Sequence, residues 1–475
     1  MYENNQDTAE KTRGQQLKED LFYRKKNVYE ESDAEKIANI YSYAKGYMRY
    51  LDNSKTEREA VRESIAMLEK AGYREYRFGD KLSVGDKIYY NNCNKSLIAC
   101  FIGSADLQEA GIRIVAAHID SPRIDLKQNP LYEDAGMSFF KTHYYGGIKK
   151  YQWTALPLAL HGVVIRADGS EVSVTIGEDA SDPVFYINDL LPHLGAEQGS
   201  KPLSSAIAGE NLNILVGGLP FADSSVDEKI KLGVMNYLNE KYGITESDFI
   251  SAELCAVPAF RARDIGFDRA FIGAYGHDDR VCAYPALTAL IDKQDDVQTI
   301  MVILADKEET GSQGNTGMQS CILSDMIDEI SHAFGCSSAR VRSASLCLSA
   351  DVNAAYDPNF AEVYERRNSA MISCGTTMSK YTGSRGKSST NDASAETVAR
   401  IRGMLTARGV MWQTSELGKV DQGGGGTVAM FISNMNIKTV DLGVPVISMH
   451  APYEVISKAD LYTMKEAMIA FYEES

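Results

Sequence analysis

The chain has 475 residues, 44% of them hydrophobic and 24% charged, the proportions of a folded protein long enough for more than one domain. Its net charge of −16 sets it against phosphate backbones and anionic bilayers, so neither nucleic acid nor a membrane surface is an expected partner. No run of about 18 apolar residues exists to span a bilayer, and the polar start MYENNQDTAEKTRGQQLKED lacks the apolar centre of a secretion signal, which makes a cytoplasmic location the expectation.

In chain order, residues 1–15 read as an arm-like tail, and the charged, amphipathic segments around 33–51 and 55–71 read as helices. IRIVAAHID then runs apolar from Ile112 to Ala117 and stops on His118 and Asp120. From roughly residue 128 to 258 the texture changes. HGVVIRADGSEVSVTIGE alternates apolar and polar residues around Asp168-Gly169, the signal of a two-residue hairpin turn. A β-rich unit is therefore expected at 128–258, inserted into a discontinuous domain made of 1–127 and 259–475.

Beyond it, DDRVCAYPALTALIDKQ reads as a helix, and TIMVILADKEE runs apolar from Ile300 to Ala305 before Glu308 and Glu309. ASLCLSADV leads to Asp351, TVDLGVPVISMHAP leads to His450, and KADLYTMKEAMIAFYEE closes the chain as a second helix. Short β-branched runs alternating with helices predict an α/β fold with a mixed, largely parallel sheet buried between helical layers. GSRGKSSTNDASAE and DQGGGGT read as loops. The eight cysteines form no C-x-x-C pair, which argues against a zinc ribbon or redox motif and predicts buried, reduced thiols.

In open α/β sheets ligands bind beyond the carboxyl ends of the strands. The polar residues expected at that end are His118, Asp278, Glu309, Asp351 and His450, with Asp120 and Glu308 beside two of them. Imidazole and carboxylate without thiolate suit zinc, cobalt or manganese. If Asp278 bridges, one ion fits His118, Asp278 and Asp351 and a second fits Asp278, Glu309 and His450, at the separation of about 3.5–4 Å usual for paired metals. Two divalent cations balance three carboxylates and a hydroxide, so the filled centre is neutral and tolerates burial. Asp120 is then placed to accept the His118 ring N–H, and Glu308 to take a proton from water between the ions.

Each residue also has an ordinary reading. A lone H-x-D pair is usually a structural hydrogen bond, two adjacent glutamates usually an exposed turn, and Asp279, between His277 and Arg280, a helix cap. Recurrence of the same pattern at four apolar runs outweighs those readings for the metal set. His143, His161 and His332 have no such support and read as surface or core residues.

Taken together and in order, AAHIDSPR, GHDDR, DKEETGS, SADV and VDLGVPVISMHAPYE resemble the metal-binding blocks of the aspartyl aminopeptidases, the zinc exopeptidase family that includes vacuolar aminopeptidase I. The resemblance spans nearly the whole chain. It implies a three-layer, zinc-peptidase-like catalytic domain interrupted by an inserted β-rich dimerisation domain. It also implies removal of the N-terminal residue from peptides, acidic or neutral residues being preferred, with two metal ions per subunit, zinc before cobalt or manganese. On matching positions, His118, Asp278, Glu309, Asp351 and His450 become the ligands, Glu308 the general base and Asp120 the residue orienting the first histidine. His193, in NDLLPHLG, matches a histidine sent into the neighbouring subunit's site, and Lys380, in MSKYTGS, matches a substrate-contacting lysine. Dimers in the family assemble into tetrahedral dodecamers, so a homo-oligomer is expected. The loop after Lys380 and the GGGGT loop depart from the animal members, which leaves side-chain preference open. A carboxypeptidase or amide deacylase using the same centre, or a non-catalytic peptide-binding assembly protein, are the alternatives.

Overall fold

The computed structural model describes residues 11–474; the first ten residues of the expected N-terminal arm lie outside them. The rest of that arm is not extended. Thr12 and Gln15 form a reciprocal capping box that starts an exposed helix at Arg13–Leu21. The two segments read as helices form at Ala34–Asn53 and Glu57–Lys70.

Nine strands form the first sheet, in the spatial order Arg74–Glu75, Lys87–Asn92, Ser96–Phe101, Thr299–Ala305, Ile112–His118, Leu346–Ser349, Lys438–Gly443, Thr376–Ser379 and Trp412–Thr414. The four central strands, from Thr299–Ala305 to Lys438–Gly443, are mutually parallel, and antiparallel pairings lie outside them. Alternate residues feed opposite faces, as the period of two requires. Val115, Ala117, Val302, Leu304 and Leu348 pack with the helices His277–Asp292 and Lys458–Tyr472. Ile114, Ala116, Met301, Ile303 and Cys347 pack with Ile322–Ala333 and Ser338–Ala344 on the other side. The result is a three-layer α/β/α arrangement whose sheet is mixed and parallel at its centre.

The second sheet has seven strands drawn from residues 123–258, all antiparallel, in the order Ala252–Pro258, Arg123–Asp134, Met137–Tyr145, Ile214–Gly217, Phe185–Ile187, Pro157–Ile165 and Glu171–Ile176. Ala252–Pro258 also pairs with Pro157–Ile165, closing six of the strands into a ring around Phe140, Trp153, Leu158 and Ile214. The expected hairpin joins Pro157–Ile165 to Glu171–Ile176, but its loop is a residue longer than a two-residue turn. The Arg166 amide donates to the Ser170 carbonyl around Ala167, Asp168 and Gly169, because the Asp168 carboxylate takes both the amide and the hydroxyl of Ser170.

A third sheet of five strands contains Arg263–Ile265, Phe271–Ala274, Glu454–Ser457, Pro445–Ile447 and Asn353–Ala354. The apolar run before His450 is thus two strands in two sheets, Lys438–Gly443 and then Pro445–Ile447. At the crossing the backbone of Gly443 lies so close to the Asp351 carbonyl that a Cβ would stand 1.5 Å from its oxygen. The cysteines are all free, but Cys93 and Cys321 are exposed, so the expectation of buried thiols holds for Cys100, Cys255, Cys282 and Cys347 and not for those two. Among the described residues no helix is long and apolar enough to cross a membrane.

Candidate metal centre

His118 is the last residue of its strand, level with Ala305 on one neighbouring strand, while Ser349 on the other is level with Ala116. The chain therefore leaves all three strands at one edge, which carries Glu308, Glu309 and Asp351 to the imidazole. Lys307 and Gly311, both at positive φ, turn the backbone sharply around Glu308–Thr310. The remaining two residues arrive from elsewhere than expected. Asp278 belongs to the turn from Phe271–Ala274 into the helix that begins at His277, and His450 to the turn between Pro445–Ile447 and Glu454–Ser457. Both are contributions of the five-stranded sheet, not of strand ends in the nine-stranded one.

Asp278 lies between the two histidines, with Oδ1 3.0 Å from His118 Nε2 and Oδ2 3.3 Å from His450 Nε2. Asp351 Oδ1 is 3.8 Å and Glu308 Oε2 3.9 Å from His118 Nε2, and Glu309 Oε2 is 3.5 Å from His450 Nε2. Two triads emerge, His118–Asp278–Asp351 and Asp278–Glu309–His450, each with donor atoms within 4.8 Å of one another, and a third, His118–Glu308–Glu309, overlaps them. Asp120 is fully buried and does more than face the first imidazole. His118 Nδ1 lies 3.0 Å from the Asp120 main-chain carbonyl and 3.3 Å from its carboxylate, whose oxygens also accept the amides of Glu308, at 3.1 Å, and Glu309, at 3.2 Å.

Burial is the main force on the acids. It raises Glu308 to about 7 and pushes Glu309 and Asp351 well above the carboxylate range, with the charge on Asp278 adding to each. Asp278 goes the other way: burial opposes its charge, but hydrogen bonds from His118 and His450 hold it ionised. Burial opposes the charge of His450 too, but its hydrogen bond to Asp278 and the charge on Glu309 outweigh that and raise it to about 10. One oxygen of Glu309 is buried without a hydrogen-bond partner, and so are both oxygens of Asp279. Acids crowded this closely, with free lone pairs and imidazole nitrogens turned toward them, fit divalent cations as their missing counter-charge.

Asp279 is not a helix cap: both its carboxylate oxygens are buried without a hydrogen-bond partner, so neither accepts a helix amide. His193 sits on an exposed turn at Pro192–Leu194, outside both triads. Lys380 is half exposed and paired with Asp392 of its own loop. His143 and His332 are exposed, and His161 is buried between Glu59 and Glu178.

Three contributors escaped the sequence reading. Glu454 accepts the His450 amide at 2.7 Å and the Asp278 amide at 3.1 Å, tying together the two residues that the five-stranded sheet supplies. Tyr145 donates its hydroxyl to Asp120 at 2.8 Å, and the Gly147 carbonyl accepts from His450 Nδ1 at 2.9 Å. The latter pair lies in HYYGG at the end of a strand of the seven-stranded sheet, where a glycine pair after aromatic residues was the one visible sign of a close approach.

With this geometry in view, comparison with known proteins is decisive. The sequence profile of the aminopeptidase I zinc metalloproteases (M18) matches residues 50–472. The chain belongs to the M18 family. An M18 family aminopeptidase 1 of Clostridium acetobutylicum is 48% identical over 460 residues, covering 95% of this chain and 99% of that one. The crystal structure of an M18 aminopeptidase from Thermotoga maritima superposes with a TM-score of 0.91 at 42% identity, over 96% of this chain and all of that one. A more distant likeness in fold, at 22% identity and a TM-score of 0.75, is to the S. cerevisiae mApe1 dodecamer, covering 92% of this chain and 97% of that one. The chain is thus a metallo-aminopeptidase of a zinc-dependent family, with its α/β fold.

Proposed function

We propose that this M18 aminopeptidase holds two divalent ions, zinc by preference, and uses them with Glu308 to release acidic or neutral N-terminal residues from peptides. The observation that carries the reading is the two-sided placement of Asp278, one carboxylate oxygen toward each histidine. His118, Asp278 and Asp351 would hold one ion, and Asp278, Glu309 and His450 the other. When bound, the pair supplies Lewis-acid polarisation of the scissile carbonyl and acidifies the attacking water.

The residues of the chain do the rest. Glu308 takes the proton of the attacking water and returns it to the leaving amine, while Asp120 fixes the backbone that carries Glu308 and Glu309. Lys380 would meet a substrate carboxylate once released from Asp392, which favours acidic N-terminal residues. The unit at 128–258 is assigned to dimer formation, with His193 reaching the partner's site and dimers building a larger homo-oligomer up to a dodecamer. Support for that assignment comes from the exposed Leu190, Leu191, Leu194 and Leu203 around His193.

The test is hydrolysis of chromogenic amides of Asp, Glu, Leu, Met and Lys, each with a free and a blocked amine, in the presence of zinc, cobalt or manganese. Turnover confined to free amines, fastest for Asp, Glu and the neutral residues, is expected. Turnover of the blocked series would favour an amide deacylase instead, and a preference for Lys would remove Lys380 from substrate recognition.

A further inference from the structure

Tyr145, which ends a strand of the seven-stranded sheet, and the two glycines after it each approach a different part of the metal centre. The Tyr145 hydroxyl donates to Asp120 Oδ2 at 2.8 Å, Gly146 passes so near Glu309 that a Cβ would stand 3.3 Å from Oε2, and the Gly147 carbonyl accepts from His450 Nδ1 at 2.9 Å. We infer that Tyr145 is a positioning residue of the aminopeptidase centre, setting the Asp120 carboxylate that in turn aims His118, Glu308 and Glu309. The inference rests on the metal-centre reading above and deepens it.

Asp120 is fully buried, and its two oxygens meet four donors or ring nitrogens between them. Oδ1 faces His118 Nδ1 at 3.3 Å and the Glu308 amide, while Oδ2 faces the Glu309 amide and the Tyr145 hydroxyl. A carboxylate has about four lone-pair directions, so this set saturates it and fixes its plane. Without the phenol, Oδ2 keeps a single long amide contact, at 3.2 Å, and the plane is free to swing. The imidazole orientation and the turn carrying the proposed base would swing with it.

The phenol is itself braced. Arg123 and Tyr145 are cross-strand partners, and the guanidinium lies 4.3 Å from the ring centroid. Arg123 is held by Glu57 at 2.6 Å and Asp125 at 2.7 Å. Glu57 comes from the first turn of a helix in the α/β part, so the brace begins and ends there and passes through the inserted sheet between. A tyrosine that merely satisfied a buried acid would need none of this anchoring.

The test is Tyr145→Phe, which keeps the ring under Arg123 and removes one oxygen, compared with the wild type and with Tyr132→Phe, a tyrosine on the same sheet away from the centre. Zinc affinity by chelator competition, kcat and KM are measured, with melting temperature as a check on folding. Expected for Tyr145→Phe is a melting temperature within about 2 °C of wild type, zinc held about tenfold more weakly, and a fall of about tenfold in kcat at unchanged KM. Tyr132→Phe should match the wild type in all three. Gly147→Ala, whose Cβ would stand 3.3 Å from His450 Nδ1, should weaken zinc as well. Wild-type zinc affinity and kcat in Tyr145→Phe, in a preparation whose wild type binds zinc and hydrolyses peptides, would overturn the inference alone. A wild type that binds no zinc would overturn the metal-centre reading and the inference together.

Discussion

The nine-stranded and seven-stranded sheets solve opposite problems with their polar and apolar residues. The first is covered by helices on both faces and buries its acids together at one edge, where Glu309 keeps an unpartnered oxygen and burial drives Glu308, Glu309 and Asp351 toward protonation. The second closes on itself but leaves apolar side chains in solvent: Leu194 is 69% exposed, and Leu219, 84% exposed, lines an open apolar groove of about 580 Å³ between Ile214–Gly217 and the helix Lys229–Tyr242. One region crowds acids that suit cations; the other exposes apolar side chains that suit a covering surface. An enzyme built this way is expected to gain stability at two separate steps, metal loading and assembly.

The contrast breaks most visibly at Asp278. Asp278→Asn should abolish both metal binding and turnover, read by metal analysis and amide hydrolysis, because one carboxylate faces both histidines. A variant that keeps one ion and partial activity would show that the two triads load independently. Glu308→Gln should keep the metal and cut kcat by at least about a hundredfold, the usual contribution of a general base; near-normal turnover would remove Glu308 from proton transfer. On the stability side, Leu348→Ala, in the doubly covered sheet, should cost about 2–5 kcal/mol in denaturant unfolding. Leu219→Ser, on the exposed surface, should cost under about 0.5 kcal/mol in the dissociated chain. Leu191→Glu with Leu194→Glu should leave the fold intact and shift light scattering to a smaller species, and an unchanged mass would place the subunit contact elsewhere.

The smallest expected effect lies at the seam of the two regions. His161 in the inserted sheet is clamped between Glu59 of the α/β part, at 2.8 Å, and Glu178, at 3.0 Å. Burial opposes charge on all three, but their mutual hydrogen bonds raise the histidine and lower both glutamates. Linkage then gives a window. The histidine's contribution is complete below its ordinary value of 6.5 and is lost as pH rises through its raised folded value. That of the glutamates is present above their ordinary value of 4.5 and is lost as pH falls through their lowered folded values. Melting temperature measured against pH should therefore decline on both sides in the wild type, and the alkaline decline should flatten in His161→Gln.

Much of the centre could be read from the sequence because strand ends are local events. The apolar runs before His118, Glu309 and Asp351 stop where the buried sheet stops, so pattern alone places those residues on one edge. Asp278 and His450 were named through their neighbours in the chain and not through their true supports, since an apolar run does not reveal that VDLGVPVI changes sheets after Gly443. Glu454 and Tyr145 were invisible for a related reason. Each acts through a hydrogen bond to a residue distant in sequence or to a main-chain amide, and neither leaves a periodic trace. The Asp168-Gly169 turn shows the limit at short range: the dipeptide located the hairpin, and the hydrogen bonds of one aspartate side chain lengthened its loop.

Gly443 sets a final constraint. Its φ is ordinary, so backbone strain is not what demands glycine; the demand is spatial, since any Cβ would stand 1.5 Å from the carbonyl oxygen of Asp351. In a saturation library screened for peptide hydrolysis, position 443 should return glycine alone, and would score as strictly as the acids although it offers substrate no chemical group. Mutational intolerance around this site therefore maps where two backbones cross as well as where the chemistry happens.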